Sequence, residues 1–291
     1  MGAPSCCALA FQKSPVVLVA ERNVTPLLVI VGPTGAGKTE LALRLAEAVG
    51  AEIVSADSQQ VYRGMDIGTG KASAAERARV PHHVLDVLSP DEEMTAARFV
   101  ELADAAIADV RGRGKPVVVA GGTMLYVRAL LRGLFEGPAA DAEFRAALTE
   151  RAERDGLESL WDEMAQVDAK SSETIHKTDA RRIIRALEVH HKTGIPLSEH
   201  HRMHQAQPDR YEAKVVGIKP EREALYAKIN ARVLGMMKAG LLEEVAGLRE
   251  QGYGPSLRSQ QAIGYSELHD HLAQETALGE AVELIQRNSR R

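Results

Sequence analysis

The chain has 291 residues, 45% of them hydrophobic and 26% charged, which suits a soluble globular enzyme of one large or two modest domains. A formal net charge of −4 argues against a uniformly basic nucleic-acid binder. No apolar stretch reaches the ~18 residues of a spanning helix, so no membrane segment is expected. Aromatics make up only 4%, leaving Ala, Leu, Val and Ile to build the core. The two cysteines, Cys6 and Cys7, are adjacent, form no disulfide framework and fit a reducing cytosol.

Residues 1–25 read as a disordered N-terminal extension. Their apolar run at 16–20 lacks the longer apolar region and small-residue cleavage site of a secretory signal. Residues 28–31 (LVIV) have buried-strand composition, and residues 40–49 (ELALRLAEAV) have helical periodicity. Between them lies GPTGAGKTEL, in which Gly32, Gly37, Lys38 and Thr39 match G-x-x-x-x-G-K-[ST]. Strand, glycine-rich loop and helix together predict a diphosphate cradle made of Gly32, Pro33, Thr34, Gly35, Ala36, Gly37, Lys38 and Thr39. Lys38 supplies charge there and Thr39 a ligand for Mg²⁺. Such a loop serves many chemistries and does not by itself name the reaction.

Residues 53–57 (IVSAD) predict a strand ending at Asp57, followed by the polar functional loop 58–71 (SQQVYRGMDIGTGK). A further strand is expected at 84–88, containing Asp86, then an Ala-rich amphipathic helix at 95–111. The strand 117–120 (VVVA) runs into Gly121, Gly122 and Thr123. Alternating helices and continuously apolar strands indicate the α/β class: a P-loop NTPase-like, doubly wound parallel sheet. Ligands in such sheets gather at the C-terminal strand ends, where the loop, Asp57 and residues 121–123 converge.

Residues 139–207 predict helices without strands, centred on an acidic Ala-rich segment, 157–167 and 179–192. This is an all-helical insertion in a core made of residues 26–138 and 208–291. A strand returns at 215–218, followed by helices at 221–238 and 241–251. Between residues 176 and 204 lie Lys177, Arg181, Arg182, Arg185, Lys192 and Arg202 against Asp179, Glu188 and Glu199, together with six of the ten histidines. Taken alone this run reads as a solvated face, and the spacings match no standard zinc module. It becomes an RNA-phosphate surface only if other features call for RNA. The last residues, 286–291 (QRNSRR), stop within a basic helical pattern and look cut rather than finished.

Six ordered segments, GPTGAGKTEL, SADSQQVYRGMDIGTGK, PHHVLDVL, GGTMLYVRALLRGL, DARRIIRALEVHHKTGIPLSE and QAIGYSEL, resemble the tRNA dimethylallyltransferase (isopentenyl-tRNA transferase) family from about residue 26 onward. The resemblance implies transfer of a dimethylallyl group from dimethylallyl diphosphate to N6 of the adenosine next to the tRNA anticodon, with Mg²⁺. It implies a general base at Asp57, for which helix capping or Mg²⁺ coordination is the alternative. Arg232, in INARVLGMMKAG, would meet the diphosphate, and Thr34 would reach the substrate region. Ser58, Gln60, Tyr62 and Thr123 would line the pocket and channel on the tRNA side. Gln261 would lie near the anticodon loop, and Arg181, Arg182 and Arg185 would meet tRNA phosphates. A cytoplasmic monomer is expected. Lys177 and Thr178 stand where the family commonly has Pro and Asn, and the family's basic C-terminal stretch beyond QRNSRR is missing. Two rival functions use the same loop: adenylate isopentenyltransferase acting on free nucleotide, and a P-loop small-molecule kinase with Asp86 as its metal-orienting acid.

Overall fold

The computed structural model describes residues 25–135 and 137–290. Strands β1 (Leu27–Val31), β2 (Glu52–Ser55), β3 (His82–His83), β4 (Val117–Gly121) and β5 (Ala213–Gly217) form one parallel sheet in the order β3-β2-β4-β1-β5. Helices α1 (Lys38–Val49), α2 (Ala74–Arg79), α3 (Ala96–Gly112) and α4 (Met124–Arg132) follow β1, β2, β3 and β4 in turn. Successive strand residues point to opposite faces, and both faces are apolar. Val29, Val54, Val117 and Val119 pack with Phe99, Ala103 and Ile107 of α3 and Leu130 of α4. Ile30, Ile53 and Val118 pack on the other side with Ala42, Leu43 and Ala46 of α1. The sheet is therefore doubly wound.

The strand expected at 84–88 does not form. Pairing with β2 is confined to His82 and His83, opposite Ile53 and Val54. Val84 and Asp86 then take positive φ values of 62° and 54°, which no strand accommodates. Asp86 is drawn aside by Lys71 Nζ at 2.6 Å and Arg77 Nη1 at 2.6 Å, while Val84 and Leu88 are buried. The apolar spacing reported burial correctly, but side-chain ion pairing sets the backbone.

Between α4 and β5 the chain forms α5 (Ala142–Asp155), α6 (Leu157–Val167), the short α7 (Ala169–Ser172), α8 (Ala180–Thr193) and α9 (Leu197–Gln205). The short α7 and α9 are additions to the three expected helices. Leu148, Leu160, Met164, Ile183 and Leu187 give these helices a hydrophobic cluster of their own. Asp168 is buried between α6 and α7. Its carboxylate accepts from Ser171 N at 3.0 Å and from Ser198 N at 2.9 Å, tying α7 to the start of α9. The histidines pack: His200 lies 4.6 Å from the Phe135 ring, His191 stacks on Phe144 at 4.3 Å, and His204 Nε2 is 3.2 Å from Gly133 O.

Glu188 is fully buried on α8. It accepts from Asp141 N at 2.7 Å and Arg145 Nε at 2.8 Å, and it pairs with Arg185. Burial alone would raise its carboxyl, but Arg145, Asp141 N–H and Arg185 bring it down to about 2. A depressed carboxyl contributes stability that is present above its unfolded value near ~4.3 and is lost as pH falls toward the folded value. Glu188→Ala should therefore cost about 3 kcal/mol, measured by denaturant unfolding at neutral pH. The difference from the parent should shrink as pH falls from about 4.3 toward the folded value of about 2.

After β5 the chain forms α10 (Arg222–Lys238), α11 (Leu241–Glu250), a 3₁₀ turn (Arg258–Gln261), α12 (Tyr265–Leu272) and α13 (Leu278–Ser289). Val233, Leu241, Val245, Leu268 and Ile285 join the cluster under β1. No described helix is long and apolar enough to cross a membrane. The expectations for residues 1–24, including Cys6, Cys7 and the run at 16–20, and for Arg291, lie outside the described residues.

Candidate active site

The loop after β1 turns where Ala36 N donates to Pro33 O at 3.2 Å, and Gly37 sits at φ 91° as the residue before α1. A residue with a Cβ suffers steric strain in that left-handed conformation, so glycine is required to aim the first N–H groups of α1 at one point. Lys38 Nζ donates to Pro33 O at 2.9 Å, folding its ammonium over the loop. β4 passes close to the end of β2: a Cβ on Gly121 would stand 2.1 Å from Ala56 O. Thr123 N then donates to Ala56 O at 3.2 Å, and Thr123 Oγ1 accepts from Ser58 N at 3.0 Å. These contacts clip the two strand ends together and fix the turn that carries Asp57.

Asp57 Oδ1 accepts from Gln59 N at 2.9 Å and Gln60 N at 3.3 Å, which leaves Oδ2 as the oxygen available to a substrate. Asp57, Lys38 and Arg232 feel one another's charge. Burial lowers the Lys38 ammonium below its ordinary range, Asp57 opposes this, and Arg232 reinforces it. Burial likewise lowers the Arg232 guanidinium, again opposed by Asp57. Three charged groups, two of them cationic, therefore meet at one partly desolvated point.

They line one cavity of about 920 Å³. Pro33, Thr34, Gly35, Gly37, Lys38 and Thr39 line it with Arg232, and Asp57, Gln60 and Gln261 also face it. The wall made by α10 carries Leu225, Ile229 and Val233 at every fourth residue together with Lys228 and Arg232, and Met236, Ile263 and Ile285 join it. Sequence reasoning named Arg232 but missed this wall. The four-residue spacing beside Arg232 was the signal that could have found it. It also missed Glu244, which holds the loop at 66–68 through long-range contacts with no local pattern.

Several expected site residues lie elsewhere. Tyr62 is only 4% exposed and packs in the core with Leu88 and Met94, so it does not line the cavity. An apolar ring following Val61 is better buried against the sheet than left in a polar loop. Arg185 is committed to the buried Glu188, which would lose one of its two arginine partners if Arg185 turned to RNA. Arg181 and Arg182 are exposed, Arg182 beside Asp179 at 3.4 Å. Gln60 lines the cavity but also braces it, accepting from Ser55 Oγ at 3.0 Å and donating to Gly70 O at 3.3 Å. Ser58 and Thr123 meet through the hydrogen bond already described, which clips the two strand ends together, and neither lines the cavity.

Among the described residues no group of three His, Cys, Asp or Glu side chains could hold a metal ion alone. Thr39 is exposed at the cavity wall, so its hydroxyl fits a Mg²⁺ that draws its remaining ligands from diphosphate oxygens and water.

Residues 60–291 match the IPP transferase family. A tRNA dimethylallyltransferase 2 of Geotalea uraniireducens is 49% identical over 273 residues, covering 94% of this chain and 88% of that protein. The tRNA dimethylallyltransferase of Geobacter sulfurreducens is 48% identical over 92% of this chain and 86% of its own length. Among solved structures, a full-length tRNA isopentenylpyrophosphate transferase from Bacillus halodurans aligns with a TM-score of 0.66 at 38% identity, covering 91% of this chain and 83% of that one. A eukaryotic dimethylallyltransferase captured acting on tRNA aligns with a TM-score of 0.75 at 27% identity, covering 91% and 67%. With a family match over most of its length and near-half identity to full-size members, this chain belongs to the IPP transferase family.

Proposed function

We infer that this tRNA prenyltransferase moves a dimethylallyl group from dimethylallyl diphosphate to N6 of the adenosine next to the tRNA anticodon, releasing diphosphate. The observation that carries the reading is the mixed lining of the cavity. Lys38, Arg232 and the loop at the start of α1 share it with Asp57 and with the aliphatic side chains of Leu225, Ile229 and Val233, of which Ile229 and Leu225 stand against Gly35 of the loop. A diphosphate with a short branched hydrocarbon needs this arrangement, whereas a nucleoside triphosphate does not call for the aliphatic wall. In the reaction the allylic C–O bond breaks as the new C–N6 bond forms, and the N6 proton passes to Asp57 Oδ2. Lys38, Arg232 and the loop N–H groups take up the charge that develops on the leaving diphosphate. Mg²⁺, held by Thr39 and the diphosphate, would supply further neutralisation of that charge.

A small-molecule kinase is disfavoured by Asp86, which is committed to Lys71 and Arg77 and does not line this cavity. The insertion favours tRNA over a free nucleotide. Incubation with dimethylallyl diphosphate and equal amounts of AMP and an anticodon stem-loop tests this choice. Prenyl label should enter the RNA, and label in AMP would support the free-nucleotide reading. For the RNA surface, replacing Arg181 and Arg182 with Gln should reduce the salt dependence of stem-loop binding by about 0.7 to 0.9 in log–log slope for each phosphate no longer neutralised. Arg185→Gln should instead lower the unfolding midpoint, since its partner Glu188 is buried. An unchanged slope in the double variant would return α8 to an ordinary solvated face.

A further inference from the structure

Gly68, Thr69 and Gly70 line the cavity, and the loop that carries them is held from behind, at residues 66–68, by a single carboxylate. Glu244, on α11, accepts from Asp66 N at 2.9 Å and Ile67 N at 2.7 Å through Oε2. Through Oε1 it accepts from Gly68 N at 3.1 Å and from Tyr265 OH at 2.6 Å. Burial and the facing carboxylate raise the Tyr265 phenol above its ordinary range, so it remains a donor. Gly68 lies flat on that ring, and a Cβ there would stand 2.5 Å from Tyr265 Cε2. Two residues on, Gly70 adopts φ 58° and lies against Arg232, where a Cβ would stand only 2.1 Å from Arg232 Nη2. Thr69 O accepts from the same Nη2 at 3.4 Å, and Gln60 Nε2 donates to Thr69 O at 3.4 Å. The guanidinium of Arg232 therefore rests on backbone whose position is set by Glu244.

We propose that Glu244 is a positioning residue for the transfer reaction, holding the loop at 66–70 so that Arg232 is aimed at the leaving diphosphate. This rests on the proposed role of Arg232 in that reaction. Glu244 does not line the cavity, so it acts only through the loop. A guanidinium displaced by a fraction of an ångström loses alignment with charge that develops only in the transition state. Its misplacement therefore lowers the rate of the chemical step more than it weakens binding of either substrate.

The test is a double-mutant cycle on the full chain, read as the single-turnover rate of prenyl transfer to an anticodon stem-loop with both substrates saturating. Glu244→Gln keeps the volume, but its amide nitrogen faces an N–H of the loop, so at least one loop donor is left without its acceptor. In the otherwise unaltered chain it should slow transfer about 10-fold, with stem-loop affinity unchanged. In an Arg232→Gln background the same change should cost less than about 2-fold, because the group it positions is already gone. Should Glu244→Gln not fold, Glu244→Asp, whose shorter side chain withdraws the carboxylate from the three loop N–H groups, takes its place in the cycle with the same expected non-additivity. Equal losses in both backgrounds would overturn the proposal. Absence of transfer by the parent chain would instead count against the functional reading itself.

Discussion

Asp57→Asn is expected to lower turnover by about 10²- to 10⁴-fold, the usual scale for loss of a general base, with little change in affinity for dimethylallyl diphosphate. The substitution is a clean one here. Asp57 Oδ1 holds the turn by accepting from Gln59 N and Gln60 N, and an asparagine oxygen can accept the same bonds. The charge is lost, and with it the acceptor for the N6 proton. Reaching N6 requires the adenine to leave its stack, which costs a few kcal/mol and is least costly in a single-stranded loop. The electrostatic neighbourhood adds a second readout. Asp57 opposes the burial that lowers the Lys38 ammonium, so removing its charge should lower that group further. The high-pH limb of the residual activity should therefore move to lower pH in the variant. Full activity in Asp57→Asn, or a defect rescued entirely by added Mg²⁺, would assign the residue to metal binding or to the turn.

Lys38→Ala should cost about 10²- to 10³-fold in turnover, as expected for one preorganised donor to a developing anion. The Lys38 side chain makes one hydrogen bond within the protein, to Pro33 O, so its removal should leave the loop folded. Stem-loop binding should persist, because the residue faces the phosphate end of the cavity. Thr39→Ala should act differently, raising the Mg²⁺ concentration needed for half-maximal rate. Loss of RNA affinity with normal prenyl transfer in either variant would mean that the loop holds something other than the diphosphate.

The parts of this site legible in the sequence are those encoded within a few residues of one another. The glycines and Lys38 of GPTGAGKTEL are read by one backbone turn, and Val117, Val118 and Val119 betray a strand buried on both faces. Asp57 follows from its place just beyond a strand. What was not legible depends on distant partners. Asp86 turns the chain out of the sheet because Lys71 and Arg77 reach it, and neither ion pair leaves a periodic trace. Arg185 looks like its exposed neighbours Arg181 and Arg182 until Glu188 is found buried beneath it. Tyr62 sits in a polar motif yet packs in the core. Glu244 is one acid on an ordinary amphipathic helix until three backbone N–H groups from residues 66–68 converge on it.

The central claim is that the charged end of this cavity expels diphosphate from an allylic carbon onto an RNA adenine. Mass spectrometry of nucleosides from an anticodon stem-loop, after incubation with the purified chain, dimethylallyl diphosphate and Mg²⁺, tests it most directly. The account predicts one added dimethylallyl unit on the adenosine adjacent to the anticodon, carried on N6, with equimolar release of diphosphate. Unmodified RNA together with a prenylated free nucleotide, or release of diphosphate without any prenylated adenine, would contradict it.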